Sequence, residues 1–266
     1  MYQLLKKFLV LYICIAVQDD CYGQKNPAKH TMAYSSGEKL VYDLHYGFIS
    51  GGKISLVSER TFINGKKANH LSITGKTVGM VDALYKIRDR YESYVDLKTD
   101  LPIKSVRNIR EGRYKYYNEV YFHRNDIEND SCLITSKRSG DHRMPLGIHD
   151  IVSAFYYARK FNYNDNLKKN EVIEFTTYFS DEIFPLRIRF KGIETIKTKF
   201  GKIECYKFSP VTEVGRAFKT EEDMVIWISR DKNRIPVKAT IDLAVGSFSC
   251  TLIEFQGLYN PFASVK

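Results

Sequence analysis

The chain has 266 residues and a formal net charge of +10, with 41 Lys and Arg against 31 Asp and Glu. Five cysteines in a chain this long exclude a dense disulfide framework, and seven prolines without any Gly- or Ser-rich tract exclude a low-complexity polymer. Tyr and Phe, at 19 and 16 against one Trp, combine with Val, Ile and Thr to favour pleated, half-buried surface.

Lys6 and Lys7 precede an apolar run from Phe8 to Val17, and a polar stretch from Gln18 to Gln24 follows. Charged start, short apolar centre and small residues Cys21 and Gly23 near the end form the pattern of a secretory leader. The run is well short of the roughly 20 apolar residues that span a bilayer. Export is therefore expected, to the periplasm or cell envelope, with residues 1–23 removed after Gly23 or, nearly equivalently, Gln24. No transmembrane segment is expected after that cleavage. Asp19 and Asp20 beside Cys21 argue against a lipidated cysteine.

Residues 24–36 are polar and read as a loose lead-in to a single β-rich domain over 37–260. Leu40, Tyr42, Leu44, Tyr46 and Phe48 alternate with other residues at period two, predicting a strand with an aromatic-aliphatic face. Ser50-Gly51-Gly52 reads as the next turn, and strands follow over 53–62 and 68–77 around Asn64-Gly65. Val81, Leu84 and Tyr85 fall at helical spacing. Strands are then predicted over 91–95, 104–109, 114–122 and 131–136, with a turn at 125–130 and a longer loop over 139–147. Asp150 can cap a helix beginning at Ile151, whose Ile151, Ala154, Phe155 and Ala158 share one face, with Arg159 and Lys160 suited to its last turn. Seven more strands are expected over 172–179, 184–190, 194–198, 203–210, 224–229, 235–241 and 247–255. The fold class is all-β: a long antiparallel meander curved into an open half-barrel, with one or two short helices.

Chemistry-bearing patterns are sparse. There is no phosphate-cradling glycine loop, no nucleophile elbow and no metal-spaced cysteine pair. Asp141, His142, His149 and Asp150 form the nearest approach to a metal cluster, and ordinary loop polarity explains them as well. No catalytic residue, metal or cofactor is assigned. The remaining cysteines, Cys132, Cys205 and Cys250, leave at least one unpaired.

Two cationic groups stand out as candidate binding residues. Arg88 and Arg90 share one face of an extended segment with Asp89 opposite, next to Tyr91, and ion pairs to Asp82, Asp89 or Glu92 would tie the preceding helix to the sheet. Arg187 and Arg189 alternate with Leu186, Ile188 and Phe190, so they share one face of a strand. Tyr42 and Tyr46 complete a ligand-binding set for a concave aromatic groove rimmed by cations. The expected partner is an anionic or amphiphilic envelope molecule such as a lipid or glycan; for an exported protein nucleic acid is not one. Two alternatives stand beside this: an assembly subunit docking another envelope protein, and an envelope glycan hydrolase using Asp82 and Asp89.

Two blocks carry a family resemblance. One is Gly79 to Tyr94, GMVDALYKIRDRYESY; the other is Thr195 to Cys205, TIKTKFGKIEC, followed by Trp227-Ile228-Ser229 and Asn233-Arg234-Ile235-Pro236-Val237. With the early Gly37-Glu38-Lys39-Leu40 strand, they resemble the exported bacterial family catalogued as domain of unknown function 3108, over about Glu38 to Leu258. The resemblance implies an envelope protein with a YmcC-like half-barrel fold. It implies no activity and no catalytic residues.

Overall fold

The computed structural model describes residues 32–161, 167–211, 223–243 and 246–263. The expected leader lies outside these, as does the first part of the lead-in. Fourteen antiparallel strands form one open sheet. The first meander comprises β1 (Lys39–Tyr46), β2 (Ile49–Ile63), β3 (Lys66–Thr77), β4 (Arg88–Asp96), β5 (Pro102–Glu111), β6 (Tyr114–Glu128), β7 (Ser131–Ser136) and β8 (Gly140–Pro145). The second comprises β9 (Val172–Phe179), β10 (Glu182–Thr198), β11 (Gly201–Pro210), β12 (Met224–Ser229), β13 (Pro236–Leu243) and β14 (Gly246–Gln256). Except for β8 and β9, which are the two edges, each strand pairs with its chain neighbours, and the first and last strands, β1 and β14, pair in the middle of the sheet. A short helix α1 (Gly79–Leu84) lies between β3 and β4, and α2 (Ile151–Lys160) connects the two edge strands β8 and β9.

Alternation explains most strands directly. In β4, Asp89, Ser93 and Val95 are buried while Arg88 and Arg90 are exposed. In β10, Ile188 and Phe190 point to the core and leave Arg187 and Arg189 on the outer face.

Five local expectations change. The first hairpin turns at Gly47-Phe48, three residues before the glycine pair, so Phe48 stands at a tip rather than on a strand face. Gly51 and Gly52 lie inside β2, with Gly51 under Val81 of α1. The 139–147 loop contains β8, a polar edge strand ended by Pro145, in which no apolar period announces pairing. The two segments 184–190 and 194–198 are one strand, β10, carried through a register shift at Gly192, whose φ of 137° suits glycine alone. β6 likewise runs through a register shift past the expected 125–130 turn, to Glu128. Finally, Ala33 and Tyr34 of the lead-in are buried against Leu71, Val95 and Tyr156.

The core lies on the concave side, and α2 fills it. None of its ten residues is exposed. Ala154 packs with Phe175, Phe190 and Phe208 of the second meander. Val152 and Tyr156 pack with Leu71 and Val95 of the first. Phe155 reaches the cluster of Leu40, Tyr42, Leu56 and Leu252 around the β1–β14 pair. A helix apolar enough to be covered on every side is a buried helix. Its start is fixed by Asp150, whose Oδ1 accepts from Val152 N and Ser153 N at 2.9 and 3.0 Å, while Ser153 Oγ accepts from Asp150 N at 3.0 Å.

Candidate functional site

The two sheet edges do not pair with each other, and the gap between them is where polar groups converge. Residues 146–150, just before α2, run along β9: His149 N donates to Thr176 O at 3.1 Å, and Tyr178 N donates to His149 O at 2.7 Å. Arg124 from β6 holds this segment from the other side, donating to Leu146 O at 2.6 Å and Ile148 O at 2.7 Å. Those carbonyls have no ladder partner, so a guanidinium with several donors in a fixed fork suits them. At the β9–β10 turn, Ser180 and Asp181 both adopt positive φ, the conformation of a two-residue hairpin turn that matches the twist of its strands. Asp181 Oδ1 accepts from Tyr178 Oη at 3.0 Å and Ser136 Oγ at 3.2 Å, which fastens that turn to β7.

Beneath the seam lies a cleft lined by Tyr91, Arg107, Asn118, Val152, Phe179 and Asp181. Its free volume of about 30 Å³ holds a water or two and no acyl chain or sugar ring. The Arg107 guanidinium stacks between aromatic faces, 4.3 Å from Phe179, 4.8 Å from Tyr116 and 5.8 Å from Tyr91, and donates to Ser180 Oγ at 3.2 Å. Burial raises the Tyr91 phenol well above its ordinary range and pushes Tyr178 up to about 12. Nearby, the buried Asp89 carboxyl is raised by burial, opposed by the Arg110 amide and the adjacent Glu111. The Arg107 guanidinium is thus held by rings and by Ser180, and the Tyr178 phenol by Asp181. The arrangement is a latch, with no nucleophile, base and open space in one place.

The predicted binding residues are distributed rather than gathered. Tyr42 is buried in the core with its hydroxyl donating to Pro236 O at 3.0 Å. Tyr46 ends β1, half exposed and stacked on Phe248 at 4.7 Å. Tyr91 lines the seam cleft. Arg88 grips Asp82 through both nitrogens at 2.6 and 3.0 Å, tying α1 to β4. Arg90 donates to Glu92 at 2.8 Å, and that carboxylate also bonds His70 at 2.7 Å, which holds it below the usual range. Arg187 pairs with Glu174 at 2.6 Å across β9 and β10, and Arg189 stands two residues on along the same outer face. The four arginines thus face outward on two separate halves of the sheet, while Tyr42 and Tyr91 face inward.

The other candidate chemistries disperse as well. Asp82 is held far below the carboxylate range by hydrogen bonds from Arg88 and Thr77, outside the seam cleft. His142 bonds Ser139, Asp141 bonds Thr135, and His149 and Asp150 are buried at the start of α2. Among the described residues no three His, Cys, Asp or Glu converge to hold a metal ion. Cys132, Cys205 and Cys250 are free thiols, and burial pushes Cys205 and Cys250 up to about 12, where a thiolate nucleophile is not populated at neutral pH. Arg107, Arg124 and Asp181, which build the latch, carry no signal in the sequence beyond their alternation, because their partners lie on distant strands.

No helix among the described residues is long and apolar enough to cross a membrane. A comparison with curated proteins found no match. Among solved structures, the chain is similar to a β-barrel-like protein of domain of unknown function DUF1849 from Brucella abortus, with a TM-score of 0.56 at 10% identity over 86% of this chain and 100% of that one. That likeness is one of fold alone. The hypothetical protein CT021 from Chlamydia trachomatis aligns with a TM-score of 0.35 at 10% identity, over 88% of this chain and 93% of that one. The lipoprotein LppX from Mycobacterium tuberculosis aligns with a TM-score of 0.24 at 12% identity, over 84% and 88%. The family model described as protein of unknown function (DUF3108) matches residues 41–253, and the chain belongs to that family.

Proposed function

We propose that the protein is an exported component of the cell envelope that binds an anionic or amphiphilic partner with its outer surface and carries out no reaction of its own. The observation that carries this reading is the position of α2. A curved sheet built to enclose an acyl chain or glycan needs an empty concave side, and here that side is occupied by a helix with no exposed residue. The cleft beside it holds about 30 Å³. What remains for recognition is the outside, where Arg88, Arg90, Arg187 and Arg189 face solvent-side positions and the net charge is +10. The leader pattern of residues 1–23 supports the location.

Two measurements test the reading together. Cell fractionation with N-terminal sequencing should place the protein in the envelope fraction, beginning at Gln24 or Lys25. Native mass spectrometry of that material should give the mass of the polypeptide alone. Retention of the full-length chain in the cytoplasm overturns the location, and a lipid or glycan held at one per chain overturns the filled-shell argument.

A further inference from the structure

We infer that one end of the shell is a docking surface for an anionic lipid bilayer; this rests on the outward-binding reading above and names its partner. The β1–β2 tip, α1 and the β5–β6 tip meet at that end. Val78 N donates to Gly51 O at 3.1 Å, and a Cβ on Gly51 would stand 3.4 Å from Val81, so α1 sits on the start of β2. Gly112 N donates to Lys86 O at 2.8 Å, and the Tyr85 ring lies against Gly112, which joins the β5–β6 tip to the same rim.

Four large apolar side chains stand in solvent on this rim. Phe48 at the β1–β2 tip is 105% exposed and Ile49 53%, while Leu84 and Met80 on α1 are 85% and 78% exposed. Met80 and Leu84 are four residues apart, on one face of the helix. Exposed apolar side chains are ordinary singly; four on adjoining tips are not. Tyr46 and Tyr114, both exposed, flank them with rings that have an apolar body and a polar end, as suits the depth of lipid headgroups.

Charge selects the occupant. Lys53, Lys76, Lys86, Arg110, Arg113 and Lys115 are all exposed at this end. The register sets Lys53 opposite Lys76, and Lys76 opposite Arg88, so three cations sit side by side in a row whose one acid is Asp43, opposite Lys53. The nearby carboxylates are taken up: Asp82 by Arg88, Asp43 by Ser50 and His45, while Asp89 and Glu111 are buried. Among the described residues, Asp242 at the end of β13 is an acid that stays exposed. Apolar tips ringed by cations match a bilayer whose headgroups carry phosphate: the tips enter the headgroup–acyl boundary, and ammonium and guanidinium groups meet the phosphates. The apolar groups project from two separate protrusions, which suits a fluid phase that closes around them.

The test is co-sedimentation of the processed protein with vesicles of phosphatidylcholine, with and without about 30% phosphatidylglycerol, repeated at low and high salt. Binding should require the anionic lipid and weaken about tenfold or more in high salt. The double variant Phe48→Ser/Leu84→Ser should lose binding at least about tenfold, and Lys86→Glu/Arg113→Glu should lose the preference for phosphatidylglycerol. All four positions are exposed, so the melting temperature should stay unchanged and certify the fold. Wild-type protein indifferent to both vesicles overturns the inference, as do variants that bind undiminished. Loss of a self-associated species in sedimentation velocity on Phe48→Ser/Leu84→Ser, without vesicle binding by the wild type, would reassign the rim to a second copy. A protein that is exported and empty yet ignores vesicles sinks this inference alone and leaves the filled-shell reading standing.

Discussion

Arg159 and Glu38, 121 positions apart, form a bidentate ion pair of 2.6 and 2.8 Å with both side chains buried. The same guanidinium donates to Asn233 O at 3.1 and 3.0 Å and to Ala33 O at 3.2 Å, and Arg234 donates back to the Arg159 carbonyl at 3.2 Å. One side chain near the end of α2 thus ties the chain's N-terminal lead-in, the first strand and the β12–β13 connection together. Each of the three guanidinium nitrogens donates to at least one acceptor, which offsets the cost of taking the charge out of water.

Removing one partner strands the other. Glu38→Ala is expected to cost about 3–5 kcal/mol, because an uncompensated guanidinium is left in the core. Replacing both, as Glu38→Leu with Arg159→Met, should recover much of that loss, since apolar residues of similar size carry no desolvation cost. Chemical denaturation of the wild type and the two variants reads this directly. If the single and double changes cost the same, the carbonyl bonds of Arg159 matter and the ion pair does not.

Stability should fall in acid because of His149. Its imidazole is held down at about 3, first by burial and then by the Arg124 guanidinium, whereas in the unfolded chain it titrates near about 6.5. Between those values the unfolded chain takes a proton that the fold refuses. Stability from this group is complete above about pH 6.5 and declines by up to about 1.4 kcal/mol per unit as pH falls toward 3. Asp150 next to it is raised by burial and acts the opposite way, its contribution being lost as pH rises through its folded value. Comparing wild type with His149→Asn cancels Asp150, and the difference between their denaturation curves should rise from pH 3 to pH 6.5. A flat difference would mean that the imidazole is protonated in the fold.

Much of this architecture is legible in the sequence. The strands announce themselves through alternation, as in Leu40, Tyr42 and Leu44, and α2 through Asp150 and its spaced apolar residues. What escapes is long-range. Arg159 and Lys160 look like cations suiting a helix C-terminus, yet both are buried, on Glu38 and on Asp100 at 2.5 Å. β8 escapes because an edge strand need not be apolar, and the unity of β10 because a glycine inside a strand resembles a turn. Charge and aromatic character single out the candidate binding residues, and those properties do not say which side of the sheet closes over a helix.

Gly257 should be irreplaceable for a reason of space. Its φ is +65°, and a Cβ there would stand 2.1 Å from Gly37 O, on backbone that cannot swing aside. Gly140 has φ +81° with nothing within 4 Å, so alanine there meets only conformational strain. Gly140→Ala should therefore cost roughly 1–3 kcal/mol, and Gly257→Ala clearly more, by pushing the C-terminal segment off the Glu38 strand. Thermal melts of the two variants, side by side, separate strain from collision. Equal losses would mean that residue 257 relaxes away from Gly37.

Arg124 should govern the seam more than the rest of the sheet. Two charge-assisted bonds to the Leu146 and Ile148 carbonyls, together worth roughly 3–6 kcal/mol if each contributes 1.5–3, hold the segment whose backbone bridges to β9. Arg124→Met keeps the side chain's apolar length and leaves those carbonyls bare. Hydrogen exchange should then speed up most at the His149 and Tyr178 amides, which bond across the seam, and least in the β1–β14 pair on the far side of the shell. Uniform loss of protection over all fourteen strands would show that the seam does not open by itself, and that the latch and the sheet unfold as one unit.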